Sequence, residues 1–309
     1  MENRRYYYKM SLVREMENHV SCRVLENEPM SQHTTFRVGG PARYFVYISN
    51  TVELVKILEL ATANNLPLFV LGSGSNLLVS DSGYDGIVVV LDGDFREIAI
   101  KEKNIVAGAG VSLPALVRQA AEAGCSGLEF AVGIPGTLGG AVRGNAGGRR
   151  GDFFSCLESI ELYDKKGDKR TFVKQDISFK YRSITIPVDG IIVRATLSVH
   201  REDVPSIKQR VDEIWDARRL SQPFGDLSAG CIFRNPDKAY AGELIDHAGL
   251  KGERVGGAEV SLAHANFIIN RGTATARDIW RLIQYIRAVI KDRFGYNLEL
   301  EIVTLGNFD

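Results

Sequence analysis

The sequence predicts an α+β fold of more than one domain. Its 309 residues exceed the size of a typical single core. Apolar residues make up 45% and charged residues 25% of the chain, which is typical of a folded globular protein and excludes general disorder. Short strands alternate with helices from Phe36, and a longer, charged helical segment begins near residue 205. We therefore expect a domain boundary near that residue.

The first predicted unit runs strand, helix, strand, loop, strand. Tyr44–Val46 is typical of a strand, and Asn50 with Glu53 resembles a capping box at the start of an apolar helical stripe that ends near Asn65. The segments PLFVLG and GIVVVLDG predict two strands, separated by a Gly/Ser turn at residues 72–75.

The next unit repeats this mixture of elements. The segment IVAGAGV predicts a strand, and we expect Ser112 to cap a helix that runs through Ala123 and stops at Gly124. Further strands are predicted at Ser159–Tyr163 and Gly190–Val199.

Two helices are predicted in the C-terminal part. One covers Pro205–Leu220, and a longer one opens at Thr273 and stops at Gly295. The longer helix has one apolar face, formed by Ile279, Leu282, Ile283, Ile286 and Ile290.

Charge and cysteine content exclude several classes of protein. The 38 basic and 38 acidic residues balance, so no overall field attracts the chain to nucleic acid or to an anionic membrane. The N-terminus lacks the apolar run of a signal peptide, and no stretch approaches the roughly 20 apolar residues of a membrane span, so we expect a cytoplasmic protein. Four scattered cysteines and five histidines show no metal-ligand spacing, which predicts free thiols and no metal site. The oligomeric state is left open.

Two glycine-rich segments have the chemistry of phosphate-binding loops: VLGSGSNLLV (70–79) and FAVGIPGTLGGAVRGNAG (130–147). Glycine permits positive φ and close approach of a ligand to the main chain, whose successive N–H groups bind anions. Neither segment is a Walker A loop, and neither has the Rossmann glycine spacing. One such loop alone is more often a tight turn without a ligand, whereas two favour a dinucleotide such as FAD.

Further motifs follow in order along the chain: TTFRVGGPA, VLGSGSNLLVSD, GLEFAVGIPGTLGGAVRGNAGG, KYRSI, SAGCIFRNP, AGELIDHAGLKGERVGGAEVSLAHANFIIN and LELEIV. Together they resemble the UDP-N-acetylenolpyruvoylglucosamine reductases, in the shorter form of that family, over nearly the whole chain. The resemblance implies a two-part FAD-binding domain of the vanillyl-alcohol-oxidase type and a C-terminal α+β substrate-binding domain. It also implies NADPH-dependent reduction of the enolpyruvyl group of a UDP-sugar, which gives UDP-N-acetylmuramate for peptidoglycan.

The predicted domain limits follow from this resemblance and from the change of pattern. Residues 1–28 are a polar lead-in, and 29–205 form the FAD-binding domain, split near residue 100. Residues 206–297 form the substrate-binding domain, and 298–309 a strand that carries a catalytic glutamate.

The resemblance places FAD on the two glycine-rich loops, with NADPH as the hydride donor. The predicted cofactor-binding residues are Gly72, Ser73, Gly74, Ser75, Asn76, Leu77, Gly133, Ile134, Pro135, Gly136, Thr137, Gly139, Gly140 and Asn145.

Reduction of an enolpyruvyl ether needs a hydride at the terminal carbon and a proton at the carbon that bears the carboxylate. The resemblance assigns the carboxylate to Arg182, whose planar guanidinium keeps its charge. It assigns the proton to Cys231, where many relatives have serine, and a thiol is a far stronger acid than a hydroxyl. Judged without the resemblance, the arginine is more typical of a surface ion pair and the cysteine of a buried apolar residue.

The third catalytic residue implied by the resemblance is Glu301, which would assist the developing enolate. Strand alternation puts Glu299 and Glu301 on one face, where both acids could simply meet solvent. The choice of Glu301 rests on the motif alone.

Four substrate-binding residues are implied by the same motifs: Tyr181, Arg234, Asn235 and His264. The chain departs from the family where Ser221 replaces a common lysine, where Arg234 replaces the usual lysine of an F-K-N-P turn, and in the segment AVRGNAGGRRGD. The first departure weakens diphosphate binding unless Arg218, Arg219 or Arg234 compensates.

Two alternatives stand beside the reductase. One is a flavin oxidase of a hydroxy acid or alcohol. The other is a non-catalytic flavin or nucleotide-sugar sensor, which has no need of an arginine, a thiol and a carboxylate at the three reaction positions.

Overall fold

The computed structural model describes residues 12–148 and 150–308, which form two compact units. Unit 1 comprises the described residues up to Glu28 together with Arg43–Gly72 and Asp85–Ile214. Unit 2 comprises Pro29–Ala42, Ser73–Tyr84 and the described residues from Trp215 onward. The predicted domain limits follow the order of the chain, whereas each unit combines separated segments.

Helices and strands alternate through most of the described chain. The helices are α1 (residues 12–17), α2 (Thr51–Ala63), α3 (Leu113–Glu122), α4 (Leu138–Arg143), α5 (Phe153–Cys156), α6 (Val204–Ser221), α7 (Ala241–His247) and α8 (Ala276–Phe294). The strands are β1 (Leu25–Pro29), β2 (Pro41–Ile48), β3 (Leu68–Leu71), β4 (Leu77–Val79), β5 (Tyr84–Leu91), β6 (Ile98–Ile100), β7 (Asn104–Gly108), β8 (Cys125–Ser126), β9 (Gly147–Gly148), β10 (Gly151–Asp152), β11 (Leu157–Asp164), β12 (Lys169–Val173), β13 (Ser178–Lys180), β14 (Ser183–Thr185), β15 (Gly190–Ser198), β16 (His200–Arg201), β17 (Arg254–Val255), β18 (Ala258–Val260), β19 (Ile268–Asn270) and β20 (Val303–Leu305). Within the described residues, no helix combines the length and apolar character that crossing a bilayer requires.

Unit 1 is built around two sheets. The first has the order β1-β2-β5-β3, in which β3 and β5 are parallel. The apolar run of β5 is buried over most of its length, as expected for a strand with neighbours on both sides and covered faces. The second sheet has the order β12-β11-β15-β7-β6, and each neighbouring pair in it is antiparallel.

The predicted start of α2 is confirmed. Asn50 caps the helix, since its side-chain oxygen accepts a hydrogen bond of 3.0 Å from the Glu53 amide. The Glu53 carboxylate accepts in turn from the Ser49 amide at 2.8 Å and from the Ser21 amide at 3.1 Å. The capping box therefore also attaches the N-terminal segment to this helix.

The described part of the N-terminal segment contributes to the core of unit 1. Leu12, Met16, Val20 and Val24 are all buried there. Leu12 and Met16 are four residues apart and lie on one side of α1. Residues 12–28 are therefore an integral part of the unit.

Unit 2 has its own core, formed by the apolar face of α8, by α7 and by the antiparallel sheet β17-β18-β19. The predicted face of α8 is confirmed, and its five residues are at most 1% exposed. Gly295 ends the helix with φ +77°, as predicted. The predicted start at Thr273 is wrong, because Thr275 is the cap and forms a capping box with Asp278.

Asp81 binds the N-terminus of α8 across a sequence separation of almost 200 residues. Its two carboxylate oxygens accept hydrogen bonds from the Ala276 and Arg277 amides, each at 2.9 Å. Asp81 therefore satisfies two amides that the helix itself leaves unpaired, and its charge lies at the positive end of the helix dipole.

We predict that Asp81→Ala lowers the free energy of unfolding by about 1–2 kcal/mol, because two helix N–H groups lose their acceptor. Urea denaturation followed by circular dichroism measures the effect. The matched control is Asp292→Ala in the last turn of α8, for which we expect a change within about 0.5 kcal/mol. Equal effects of the two substitutions would contradict the role of Asp81.

Candidate active site

The second glycine-rich loop lies in unit 1 and leads into α4. Gly133 and Gly136 have φ values of +74° and +137°, which side-chain-bearing residues rarely adopt. The main chain on either side is fixed, since Leu113 donates to the Gly136 carbonyl at 3.0 Å and Leu138 donates to the Val111 carbonyl at 2.8 Å. The loop is therefore a rigid turn in a conformation that requires glycine.

Close packing within the protein explains some glycines of both loops. A Cβ atom at Gly139 would lie 2.8 Å from the Ala109 Cβ, and one at Gly72 would lie 2.7 Å from the Thr137 hydroxyl oxygen. Gly140 differs, because it is exposed and a Cβ there would meet only the Thr137 hydroxyl, at 3.7 Å. The main chain at Gly140 is thus open to a ligand that a side chain would obstruct.

Asn145 is buried, and its side chain serves the protein itself. Its oxygen accepts from the Phe154 amide at 2.9 Å, and its nitrogen donates to Asp152 at 3.3 Å. These bonds hold the end of the loop, where Asn145 has a positive φ of 41°.

An ion-pair cluster fixes the segment directly before the loop. The nearly buried Glu129 accepts from the Gly127 amide at 2.7 Å, from the Ser126 hydroxyl at 2.8 Å and from Arg210 at 2.8 Å. Arg210, on α6, also donates to Glu202 at 2.6 and 2.8 Å. Burial alone would raise the pKa of Glu129, but the hydrogen bonds from Arg210 and the main chain lower it below its usual value.

Arg182 lies in the turn of the β13–β14 hairpin. The register pairs Lys180 with Ser183, so Tyr181 and Arg182 form a two-residue turn, and Arg182 has a φ of +58°. Its guanidinium carbon lies 5.0 Å from the centroid of the Tyr181 ring. Such a backbone conformation costs about 1–2 kcal/mol for a residue with a side chain, and it is common at functional sites. Strand β14 packs on α4, so the hairpin and the glycine loop contact the same helix.

In unit 2, main-chain hydrogen bonds bring Cys231 and Glu301 onto neighbouring segments. The Glu301 amide donates to the Ile232 carbonyl at 2.8 Å, and the Arg234 amide donates to the Glu299 carbonyl at 2.9 Å. Cys231 itself forms an isolated bridge with Phe267. Glu301 lies in a bend just before β20, rather than within that strand, and it is partly buried while Glu299 is exposed.

The first glycine-rich loop joins the same region of unit 2. The Asn76 side chain donates to the Glu301 carbonyl at 3.1 Å, and the Asn76 carbonyl accepts from Val303 at 2.9 Å. At Gly74, with φ +62°, a Cβ atom would lie 2.0 Å from the His33 carbonyl oxygen. Strand β4, which the sequence analysis missed, continues the loop and pairs in parallel with β20.

Asn266 is a further residue of this region that the sequence analysis missed. Its side chain accepts from the Phe233 amide at 3.0 Å and donates to the Phe233 carbonyl at 2.8 Å. His264 supports it, since the His264 Nδ1 accepts from the Asn266 amide at 3.2 Å. Burial lowers the pKa of His264, so the imidazole is neutral at physiological pH. The sequence motif HAN contains His264 and Asn266, but nothing in it indicates that Asn266 binds the distant Phe233.

The remaining predicted substrate residues lie next to this region. The Asn235 side-chain oxygen accepts from the Ala241 amide at the start of α7, at 3.0 Å. The Nε of Arg234 is buried. The Ser221 hydroxyl donates to the Ala217 carbonyl at 2.9 Å, within its own helix.

The four cysteines differ in exposure. Cys125 and Cys156 are buried, and burial raises the pKa of Cys156 to about 12. Cys22 and Cys231 are partly exposed. Of these two cysteines, Cys231 lies next to the segment that carries Glu301, a predicted catalytic residue.

Comparison with known proteins accounts for both units. Residues 42–172 match the model of an FAD binding domain, and residues 222–305 match the model described as UDP-N-acetylenolpyruvoylglucosamine reductase, C-terminal domain. The UDP-N-acetylenolpyruvoylglucosamine reductase of Moorella thermoacetica is 43% identical over 96% of this chain and 98% of its own length. Reductase 2 of Symbiobacterium thermophilum is 41% identical, over 92% and 93%. The crystal structure of the reductase from Thermus caldophilus superposes with a TM-score of 0.81 at 39% identity, over 92% of this chain and 99% of that one.

The fold and these matches define a flavoprotein oxidoreductase. It has an FAD-binding domain and a second, C-terminal domain that matches a separate family model. The expected fold class is thereby confirmed. More particularly, the chain belongs to the UDP-N-acetylenolpyruvoylglucosamine reductases, and it has FAD as cofactor and NADPH as reductant.

The residues present fit a bound flavin dinucleotide. The turn at Gly133 and Gly136 has a conformation that requires glycine, and Gly140 leaves its main chain open toward solvent. Main chain of this kind binds the oxygens of a diphosphate without a basic side chain.

We predict that Arg210→Met lowers both the stability of the protein and its affinity for FAD. The substitution leaves the Glu129 charge nearly buried beside the glycine loop without its cation. Removing one partner of a buried pair costs about 3–5 kcal/mol, and because Arg210 is 38% exposed we expect about 2 kcal/mol. Denaturation midpoints and flavin fluorescence titration of the apoprotein measure the two effects.

The double variant Arg210→Met with Glu129→Gln serves as the matched control, because it removes the unpaired charge. It should regain part of both losses. An Arg210→Met protein with unchanged FAD affinity would contradict the role of this cluster in holding the loop.

Proposed function

We propose that Arg182, Cys231 and Glu301 carry the chemistry of this reductase. The enzyme reduces the enolpyruvyl group of UDP-N-acetylglucosamine enolpyruvate with NADPH and forms UDP-N-acetylmuramate, in peptidoglycan precursor synthesis. One observation supports the proposal above the others: the Glu301 amide binds the carbonyl next to Cys231, although the two residues are 70 positions apart. This bond brings the segment with the thiol next to the segment with the carboxylate.

The two glycine loops are proposed to hold the cofactor, through the residues from Gly72 to Leu77 and from Gly133 to Gly140. Bound FAD supplies the transfer of a hydride between NADPH and the substrate. Asn145 would act indirectly, since its side chain holds the end of the second loop.

Arg182 is proposed to bind the carboxylate of the enolpyruvyl group. When a hydride adds to the terminal carbon, negative charge moves onto this carboxylate and the adjacent carbon. A guanidinium pairs with both oxygens of the carboxylate and lowers the energy of that charge.

Cys231 is proposed to give its thiol proton to the carbon that bears the carboxylate. The new C–H bond forms as the S–H bond breaks, and the resulting thiolate regains a proton from solvent. Glu301, on the neighbouring segment, would hydrogen-bond the developing enolate in its protonated form.

The sugar and diphosphate are proposed to contact Tyr181, Arg234, Asn235 and His264. Tyr181 is 51% exposed in the hairpin turn and therefore accessible to a ligand. The Asn235 side-chain oxygen already accepts from the Ala241 amide, which holds this residue at the start of α7. His264 uses Nδ1 within the protein, so Nε2 would make any contact.

Membership of the family decides in favour of the reductase over a flavin oxidase or a sensor. We also propose that the enzyme works in the cytoplasm, since its substrates are a nucleotide sugar and NADPH. Cell fractionation followed by immunoblotting tests the location, and recovery of the protein outside the cytoplasmic fraction would contradict it.

We predict that Cys231→Ala lowers kcat by about 10²- to 10⁴-fold, because the proton donor is lost. Bleaching of the flavin absorbance by NADPH should keep its rate, since that half of the reaction needs no donor at Cys231. Cys231→Ser should be impaired less, because a hydroxyl keeps a proton that it can donate. Stopped-flow absorbance separates the two halves of the reaction.

Cys22→Ser is the matched control for the loss of a partly exposed thiol, and it should keep wild-type turnover. Full turnover in Cys231→Ala would refute the assignment of the proton donor.

We predict that Glu301→Gln lowers kcat at least 10-fold, whereas Glu299→Gln changes it by less than about twofold. The two glutamates are two residues apart, and each substitution removes one negative charge. A difference between the two variants therefore shows a specific role of Glu301 rather than an effect of lost charge. Steady-state turnover of NADPH measures both. The reverse order of effects would show that the motif identified the wrong acid.

A further inference from the structure

The hairpin that carries Arg182 has little structure of its own. Strands β13 and β14 form a two-stranded sheet, whose register pairs Ser178 with Thr185 at one end and Lys180 with Ser183 at the other. All the residues of β13 are exposed. A two-stranded hairpin is at best marginally stable in water. Contacts with the rest of unit 1 must therefore fix the position of its turn.

Phe179, in the middle of β13, makes such a contact through its ring. The ring stacks on that of Phe154 in α5, with 4.0 Å between the two centroids and an angle of 22° between the planes. Phe154 is 8% exposed and belongs to the core of unit 1, whereas Phe179 is 54% exposed. A ring that the core holds in place thus binds an exposed ring of the hairpin, and such pairs contribute more than the burial of their surface alone.

The strand register shows that this contact belongs to the attached face of the hairpin. Ile184 lies directly opposite Phe179, so the two side chains project from the same face. Ile184 is buried in the core of unit 1, and its strand contacts α4. Each strand therefore contributes one side chain to the attachment, Phe179 from β13 and Ile184 from β14.

Phe154 is itself bound to the end of the second glycine-rich loop. Its amide donates to the side-chain oxygen of Asn145 at 2.9 Å. The Lys174 ammonium lies 5.0 Å from the centroid of the Phe154 ring and adds a cation–π contact. A continuous series of contacts within unit 1 thus runs from the loop through Asn145, Phe154 and Phe179 to the turn with Arg182.

We propose that Phe179 is a positioning residue for Arg182, and that its stack on Phe154 sets where the guanidinium lies relative to the second glycine-rich loop. The inference rests on the proposed function and extends it, since Arg182 is proposed there to bind the carboxylate of the substrate. Arg182 has a φ of +58°, a conformation that persists only where the surrounding structure imposes it. The stack supplies part of that constraint.

Stopped-flow absorbance of the FAD-loaded enzyme tests the proposal. In Phe179→Ala we expect the UDP-sugar to reoxidise the reduced flavin about 10- to 100-fold more slowly, because a guanidinium displaced by about 1 Å loses its alignment. Bleaching of the flavin by NADPH should keep its rate. Phe179→Tyr should behave as wild type because its ring can form the same stack, and Phe179→Leu should lie between the two.

Titration calorimetry provides a readout that does not depend on turnover. UDP-N-acetylmuramate carries a carboxylate, whereas UDP does not. In Phe179→Ala we expect the Kd for UDP-N-acetylmuramate to rise about tenfold, because a charge-assisted hydrogen bond is weakened, and the Kd for UDP to stay within about twofold. The thermal unfolding midpoint should fall by no more than about 4 °C, since Phe179 is about half exposed.

The double variant Phe179→Ala with Arg182→Ala shows whether Phe179 acts through Arg182. Once the guanidinium is absent, loss of the stack should have no further effect, so the double variant and Arg182→Ala should reoxidise at rates within about twofold of each other. A purely structural role would slow both backgrounds by the same factor. Val52→Ala is the matched control, because it truncates an exposed apolar side chain of unit 1 on α2 and should keep all wild-type values.

Four outcomes would overturn the inference. They are wild-type reoxidation in Phe179→Ala, equal slowing of the two half-reactions, an equal loss of UDP and UDP-N-acetylmuramate binding, and a further loss in the double variant as large as that in Phe179→Ala. Wild-type reoxidation in Arg182→Ala would instead refute the proposed role of Arg182, and the inference with it. The single variant of Arg182 therefore distinguishes failure of the proposed function from failure of the inference alone.

Discussion

Main-chain hydrogen bonds between three distant segments are the constraint on which the candidate site of unit 2 depends. The Ile232 carbonyl binds the Glu301 amide, and the Asn76 carbonyl binds the Val303 amide. Parallel pairing of β4 with β20 continues the same arrangement. Because these contacts involve backbone groups, they fix Cys231, Glu301 and the first glycine loop relative to one another without restricting which side chains they carry. The position of Cys231, the proposed proton donor, is therefore set by the main chain rather than by its own side chain.

The density of glycine around residues 133–147 has two physical causes. Gly139 and Gly147 are needed because the Ala109 Cβ and the Gly151 carbonyl, in the same unit, lie too close for a side chain. Gly133 and Gly136 are needed for their positive φ, and Gly140 leaves exposed backbone where a ligand can approach. The loop is thus a rigid turn, and we propose that the flavin binds the backbone that it exposes. The ion pair between Glu129 and Arg210 holds the segment that directly precedes the loop.

Features that depend on neighbouring residues, such as helix caps and apolar helix faces, could be predicted from the sequence. Hydrogen bonds and strand pairings between distant residues could not. The Asn50–Glu53 cap, the apolar face of α8 and the stop at Gly295 are local patterns, and the structure confirms them. The choice of Thr273 as a helix start was wrong because a second threonine two residues later makes the capping box with Asp278. Asp81 and Asn266 act through partners 195 and 33 residues away, and β4 pairs with the other end of the chain, so no local pattern reveals them. For the site, the motifs named Cys231 and Glu301, and the family resemblance was needed to give them roles.

The most direct test of the account is a crystal structure of the FAD-loaded enzyme with UDP-N-acetylglucosamine enolpyruvate bound. The account predicts the Cys231 Sγ about 3.5 Å from the carbon that bears the carboxylate, with the Arg182 guanidinium paired to the carboxylate oxygens. A substrate whose reacting carbon lies far from Cys231, or whose carboxylate is bound by another cation, would contradict it.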